Sequence, residues 1–180
     1  RGCYVEARTR ILILGETRPE LGGSEYYEGI HGLVGGVVPQ VDFDYEKRLH
    51  RCILKIVNLR LAKCMDDVSK GGLAATLAEM CIKSGIGMVI DLAKVPNRCE
   101  RADEILFSET HGRFIVGADK SEENRIKRIC ASYNIQCESI GEAVGEDLTF
   151  MIGAKRIEAR VEELEHAWKG TIPKLMGDEQ

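Results

Sequence analysis

Residues 64–77 read CMDDVSKGGLAATL, and this stretch does most to limit what the chain can fold into. A short apolar-acidic run, which reads as a buried strand, leads into Ser69, Lys70, Gly71 and Gly72 and then straight into an Ala/Leu-rich helix. A strand, a glycine turn and a helix start in direct succession aim several backbone N–H groups at one point. Asp66 and Asp67 stand beside that point. Small oxyanions, phosphates and metal-bound phosphates are natural guests of such a corner. The same glycines also suit a helix that has to pack closely on a strand, so the stretch by itself leaves both readings open.

The rest of the chain supplies partners for this unit. RILIL at residues 10–14 is a continuous apolar run and predicts a buried strand, ended by Gly15. Pro19 and the pair Gly22 and Gly23 mark a loop, and Ser24 is placed to cap a short helix over 25–30. Residues 32–40, GLVGGVVPQ, form an apolar loop that looks made to pack on something else. A long helix is expected over 42–61, with Leu49, Ile53, Ile56 and Val57 as its stripe. The central helix runs over 71–84, with Leu73, Leu77 and Cys81 on one face and Gly85 ending it. Strands are expected at 88–92, 113–118, 136–144, 148–152 and 155–159, and short helices at 101–107 and after Ser121, which is placed to cap. Val161, Leu164 and Trp168 give a terminal helix, and residues 169–180 form a weakly periodic tail that is mobile or docks on another domain. The unit of 1–168 is therefore read as one α+β domain, an α/β sandwich with a mixed β-sheet flanked by helices.

Composition narrows the function classes. Hydrophobic residues make up 44% and charged residues 30% of 180 residues, which suits one globular domain with a full core. A formal charge of −4 argues against nucleic-acid binding, and no apolar run reaches membrane-spanning length. No G-x-G-x-x-G follows a strand and no G-x-x-x-x-G-K-[ST] loop is present. The seven cysteines, at 3, 52, 64, 81, 99, 130 and 137, show no C-x-x-C spacing and read mostly as reduced core residues of a cytoplasmic protein.

The unusual residues fall into three clusters: Gly22, Gly23, Ser24 and Glu25; Asp66, Asp67, Ser69, Gly71 and Gly72; and Ser108, Glu109, His111, Gly112 and Arg113. Gly22, Gly23, Ser24, Ser69, Gly71, Gly72, Glu109 and Arg113 are the candidates for binding phosphate or substrate. Asp66 and Asp67 are the candidates for Mg²⁺, which takes one or two carboxylates together with substrate phosphates. Neighbouring strand residues point to opposite faces, so only one of the two can serve a given pocket. Arg113 suits either a phosphate or a pairing with Glu109, the pairing being favoured. No residue is picked as catalytic.

These clusters, in this order, resemble the C-terminal domain of the aminoimidazole ribonucleotide synthase superfamily, and within it the phosphoribosylformylglycinamidine synthase family (synthetase subunit II). The resemblance is carried by ILILGETRPELGGSEYY at 11–27, DDVSKGGLAATLAEM at 66–80, ILFSETHGRFIVGA at 105–118 and IGEAVGEDLTF at 140–150. It implies an ATP-dependent ligase of de novo purine biosynthesis. In it, formylglycinamide ribonucleotide is activated at its amide oxygen by phosphoryl transfer, and ammonia from glutamine then displaces phosphate to give the amidine. It also implies ATP and Mg²⁺ in the full-length enzyme, an N-terminal ATP-binding domain on the same polypeptide, and a glutaminase and a small accessory subunit as partners. Two positions depart from the family pattern: Asp66 stands where His is usual, and Lys70 where an acid is frequent. Arg1 lies almost at the first strand, so the expectation is the final domain of a tandem polypeptide, inactive alone. The rival readings are a non-catalytic scaffold or interaction domain, and the same domain of another synthetase or kinase of the superfamily.

Overall fold

The alternation of Ile11, Leu12, Ile13 and Leu14 decides the architecture, because all four are fully buried. A strand with both faces apolar must lie inside a sheet covered on each side. The structure, a computed structural model, describes residues 4–177, the side chain of residue 172 apart. β1 (Arg10–Leu14) is followed by α1 (Glu25–His31), α2 (Phe43–Asn58), β2 (Ala62–Asp67), α3 (Gly72–Ser84) and β3 (Met88–Asp91). A 3-10 turn at Leu92–Lys94 leads to α4 (Ala102–Phe107), β4 (Phe114–Ala118), α5 (Glu123–Ser132), β5 (Cys137–Ala143), β6 (Asp147–Ile152), β7 (Lys155–Arg160) and α6 (Val161–Met176). The strands form one mixed sheet in the order β2-β4-β1-β5-β3-β6-β7. Within the sheet β3 and β6 pair in parallel and the other described strand pairs are antiparallel, and an isolated parallel bridge joins Thr17 to Asn97.

Each face of the sheet has its own core. Ile11 and Ile13 point to the side where α3 brings Leu73, Leu77, Met80 and Cys81, joined by Leu106 of α4 and Val161 of α6. Leu12 and Leu14 point the other way, onto Leu49, Cys52 and Ile56 of α2 and Ile126 and Cys130 of α5. Both edges are charged: β2 carries Lys63, Asp66 and Asp67, and β7 carries Lys155, Arg156, Glu158 and Arg160. Such edges discourage pairing with another chain.

The expected α+β sandwich is the one observed, with several local corrections. The strand before Ser69 is an edge strand, and only Cys64 in it is buried. Val57 is 49% exposed and leaves the α2 stripe to Cys52. Ser121 does not cap α5: the helix starts at Glu123 with Glu122 at the N-cap position and no side-chain cap bond. Residues 169–176 continue α6, although Trp168 is 60% exposed. Cys3 and the last three residues of the tail lie outside the described residues.

Candidate functional site

The loop after β1, the start of α3 and the loop before β4 meet at one end of the sheet. β4 lies between β1 and β2, so the three sequence clusters, far apart along the chain, must emerge side by side. The first and third loops are then knitted together. Ser108 Oγ donates to Arg18 O (2.7 Å) or Glu20 O (3.2 Å), and lies 2.9 Å from Thr110 Oγ1. The amide of Arg18 donates to Thr110 Oγ1 at 3.1 Å, and that of Glu20 to Ser108 Oγ at 3.3 Å.

Arg113 is the centre of this knot. It is 1% exposed, the largest of the fully buried side chains. Its Nε donates to Thr110 O (3.0 Å), Nη1 to Thr17 Oγ1 (3.0 Å) and Nη2 to Ser108 O (2.6 Å). A planar guanidinium can satisfy three divergent acceptors at once, which a lysine ammonium cannot match. Burial pulls its pKa down to about 10, against the nearby acidic groups, Glu20 and Glu109 among them. The expected Arg113–Glu109 fork is absent, and the guanidinium is turned inward onto protein carbonyls. Its neighbour Glu20 is also buried: Oε1 accepts from the Gln40 amide at 3.2 Å, and Oε2 has no hydrogen-bond partner.

Glu109 does something the sequence did not show. Its Oε1 accepts from the amide of Gly71 at 2.9 Å and from that of Glu25 at 3.0 Å. The converging amides at the starts of α1 and α3 therefore receive a carboxylate of the protein itself. Above it, Lys70 Nζ reaches Glu25 Oε1 at 2.6 Å, tying the second cluster to the first, and this contact raises the Lys70 pKa. Ser24 behaves as expected of an N-cap: its Oγ accepts from the Tyr27 amide at 3.2 Å and donates to Leu21 O at 2.7 Å. The amide of Gly23 donates to Gly35 O at 3.1 Å.

At two of the candidate glycines another stretch of backbone approaches closely. A Cβ on Gly72 would lie 2.7 Å from the carbonyl oxygens of Leu106 and Ser108, and one on Gly22 would lie 2.2 Å from Val37 O. Gly72, with φ +66, lets α3 start against the end of α4. Gly22 lets the 33–38 loop cross over it, leaving Leu33, Val34, Val37 and Val38 exposed.

Asp67, Ser69, Lys70, Glu109, His111 and Arg113 line a cavity of about 400 Å³, together with Glu46 and His50 of α2 and the apolar Val41, Val68 and Phe114. Asp66 points to the other face and pairs with Lys83 at 3.6 Å. The two carboxylates do not converge, and no three His, Cys, Asp or Glu residues among the described ones are placed to hold a metal ion. The Tyr45 hydroxyl donates to the carbonyl oxygen of Gly112, one of the lining residues, at 3.3 Å; burial, with Glu46 nearby, pushes the phenol up to about 12. Thr17 and Glu20 were missed from sequence. Their only signal was their place within the glycine-loop motif, where a hydroxyl or an acid looks like ordinary loop polarity.

A mixed sheet sandwiched by helices, with its glycine-rich turns gathered at one end, is the C-terminal-domain architecture of the aminoimidazole ribonucleotide synthase superfamily. The chain belongs to the family of AIR synthase related proteins, C-terminal domain, whose sequence model matches residues 9–153. It is similar to phosphoribosylformylglycinamidine synthase subunit PurL of Thermobifida fusca, 36% identical over 96% of this chain and 22% of that protein. The same subunit of Thermococcus kodakarensis is 35% identical over 99% of this chain and 24% of that protein. The chain thus spans about a quarter of the length of these relatives. Among solved structures it resembles T. maritima PurL complexed with FGAR (TM-score 0.81, 24% identity, 91% of this chain and 29% of that one). T. maritima PurL complexed with ATP gives a TM-score of 0.78 at 22% identity, over 91% and 27%. The structure of PurLQS from Thermotoga maritima gives 0.75 at 22%, over 91% and 27%.

Proposed function

We propose that this chain is the C-terminal domain of an ATP-dependent phosphoribosylformylglycinamidine synthase, acting in the cytoplasm on formylglycinamide ribonucleotide and glutamine-derived ammonia. The reading rests on relatives of one name matching nearly the full chain, together with one structural observation. The Arg113 knot joins the first and third motif loops, and so fixes the rim of a cavity on which Ser69, Lys70 and His111 stand. A rigid rim of donors is what phosphoryl transfer asks of a protein, since positioning and charge stabilisation carry most of that chemistry. In this reading Lys70 and the Ser69 hydroxyl meet an anionic group of the substrate, and Arg113 acts only by holding the loops. Glu109 holds α1 and α3 in register.

Asp66 and Asp67 face opposite ways and Asp66 is engaged by Lys83, so at most Asp67 is turned toward the cavity. We assign ATP and its metal to an N-terminal domain of the same polypeptide, and a glutaminase and a small accessory subunit as further partners. The isolated chain should be inactive. No helix among the described residues is long and apolar enough to cross a membrane.

The deciding experiment replaces the matching quarter of the Thermobifida fusca relative with this chain. The chimera should form amidine from the ribonucleotide, ATP and ammonia. A folded, soluble chimera without ribonucleotide-dependent ATP turnover would overturn the assignment. The scaffold reading is favoured by one observation, the occupation of the Gly71 and Glu25 amides by Glu109. Calorimetry of the chimera separates the two: a scaffold gives no saturable heat with ADP, phosphate or the ribonucleotide.

A further inference from the structure

The second core contains a group of thiols that the candidate site's cavity does not use. Cys52 of α2, Cys130 of α5 and Cys137 of β5 meet there. Cys52 Sγ donates to Cys130 Sγ at 3.7 Å, and Cys137 lies close enough to Cys130 to act on its thiol. Cys52 and Cys130 have no exposed surface, whereas Cys137 keeps 9%. Cys137 also lines a cavity of about 460 Å³, together with Glu16, Lys94, Asn97 and Gln136. The three thiols therefore lead from a residue on the wall of a surface recess into the sheet–helix interior, and Cys137 is the one of the three that keeps exposed surface.

We propose that Cys137 and Cys130 form a peroxide-sensitive dithiol, with Cys137 the site of first attack and Cys130 the resolving thiol. The oxidant is a hydroperoxide. The Cys137 sulfur attacks one peroxide oxygen, the O–O bond breaks, and Cys137 becomes a sulfenic acid as water leaves. The Cys130 sulfur then attacks the Cys137 sulfur. The S–O bond breaks, the hydroxyl departs with the Cys130 proton as a second water, and an S–S bond forms. Two thiols lose two electrons and two hydrogens, and hydrogen peroxide gains both as two molecules of water. Placement sets the order. Cys137 stands on the cavity wall, while Cys130 and then burial push the Cys52 thiol up, and Cys137 and burial push the Cys130 thiol up against the lowering effect of Cys52. The bond clips α5 to the start of β5 across the turn at Tyr133, Asn134 and Ile135.

Cys99 provides an internal comparison. It is partly exposed, but burial pushes its thiol up to about 11, and its described sulfur contact is the Thr17 carbonyl oxygen at 3.9 Å rather than a second thiol. The test is to treat the reduced chain with hydrogen peroxide, block remaining thiols with iodoacetamide in denaturant, and map peptides by mass spectrometry. The expected product is a Cys130–Cys137 linkage two hydrogens lighter, formed before Cys99 is modified. In the Cys130→Ser variant, dimedone should trap a sulfenic acid on Cys137. In Cys137→Ser, loss of the Cys130 thiol should slow by about tenfold or more. Should Cys137→Ser misfold by circular dichroism, dimedone labelling of the Cys130→Ser chain decides. Oxidation of Cys99 first, a Cys52–Cys130 bond with Cys137 still alkylated, or no Cys137 modification until the chain unfolds would each overturn the proposal.

Discussion

Glu109 places one carboxylate oxygen 2.9 Å from the Gly71 amide and 3.0 Å from the Glu25 amide, so that a single side chain closes the starts of two helices. Charge-assisted bonds of this type stabilise more than neutral ones, and they sit at the positive ends of two helix dipoles. Glu109→Ala is expected to cost about 1–3 kcal/mol in urea unfolding. Glu109→Gln retains an acceptor and should lose roughly half as much. A Glu109→Ala chain as stable as the parent would mean the carboxylate is dispensable.

Arg113 supports both motif loops from below. Arg113→Met removes the donors from Thr110 O, Ser108 O and Thr17 Oγ1 and leaves three buried acceptors unpaired. The expected loss is about 3–5 kcal/mol. Arg113→Lys should recover only part of it, because a point charge cannot reach all three acceptors. Urea midpoints at constant m-value provide the comparison.

Gly72 separates packing from binding. Its positive φ and the carbonyls 2.7 Å from an added Cβ make Gly72→Ala costly, by about 2–4 kcal/mol. Gly85 shares the positive φ but has open space around it, so Gly85→Ala should cost only about 1 kcal/mol. Thermal unfolding of the pair should show Gly72→Ala falling several degrees further. Equal shifts would remove close packing as the reason for glycine at position 72.

Acid sensitivity has a local test. The Arg101 guanidinium beside Asp103 holds its carboxyl below the ordinary 3.8. Because the folded value is the lower one, the stabilisation is fully present above the unfolded value and fades as pH falls through the folded one. The pair stands at the surface, where solvent screens it, so its contribution is small. The stability gap between the parent and Asp103→Asn should be constant from neutral pH down toward 4 and shrink below it. A gap that persists at the acid end would mean that the carboxylate's charge is not its source.

How much of this was legible in the sequence depends on the range of the forces involved. Local patterns place β1, α3 and the Ser24 cap correctly, because an apolar run, a stripe at Leu73, Leu77 and Cys81, and a capping hydroxyl are decided within a few residues. Opposite placement of Asp66 and Asp67 also follows from strand geometry alone. What could not be read is long-range. The anion for the two helix starts is Glu109, far along the chain from Glu25, and nothing near either position announces the pairing. Arg113 read as a partner for Glu109, or for a phosphate, because its real acceptors are mostly backbone carbonyls, which sequence does not label. Ser121 looked like a cap because a serine ahead of a helix usually is one, but the turn that starts α5 keeps that side chain out of the role.

The central position of β1 has a consequence for how the molecule is born. Arg10, more than a hundred residues ahead of them in the chain, pairs across to strands holding Ala118 and Glu142. Until those late segments have been synthesised the opening strand has no neighbours, so its four buried side chains must wait in water or on a chaperone. Such distant pairings make for slow assembly. A nascent chain stopped short of residue 142 would therefore lack the middle of its sheet, and a protease should digest it while sparing the finished domain.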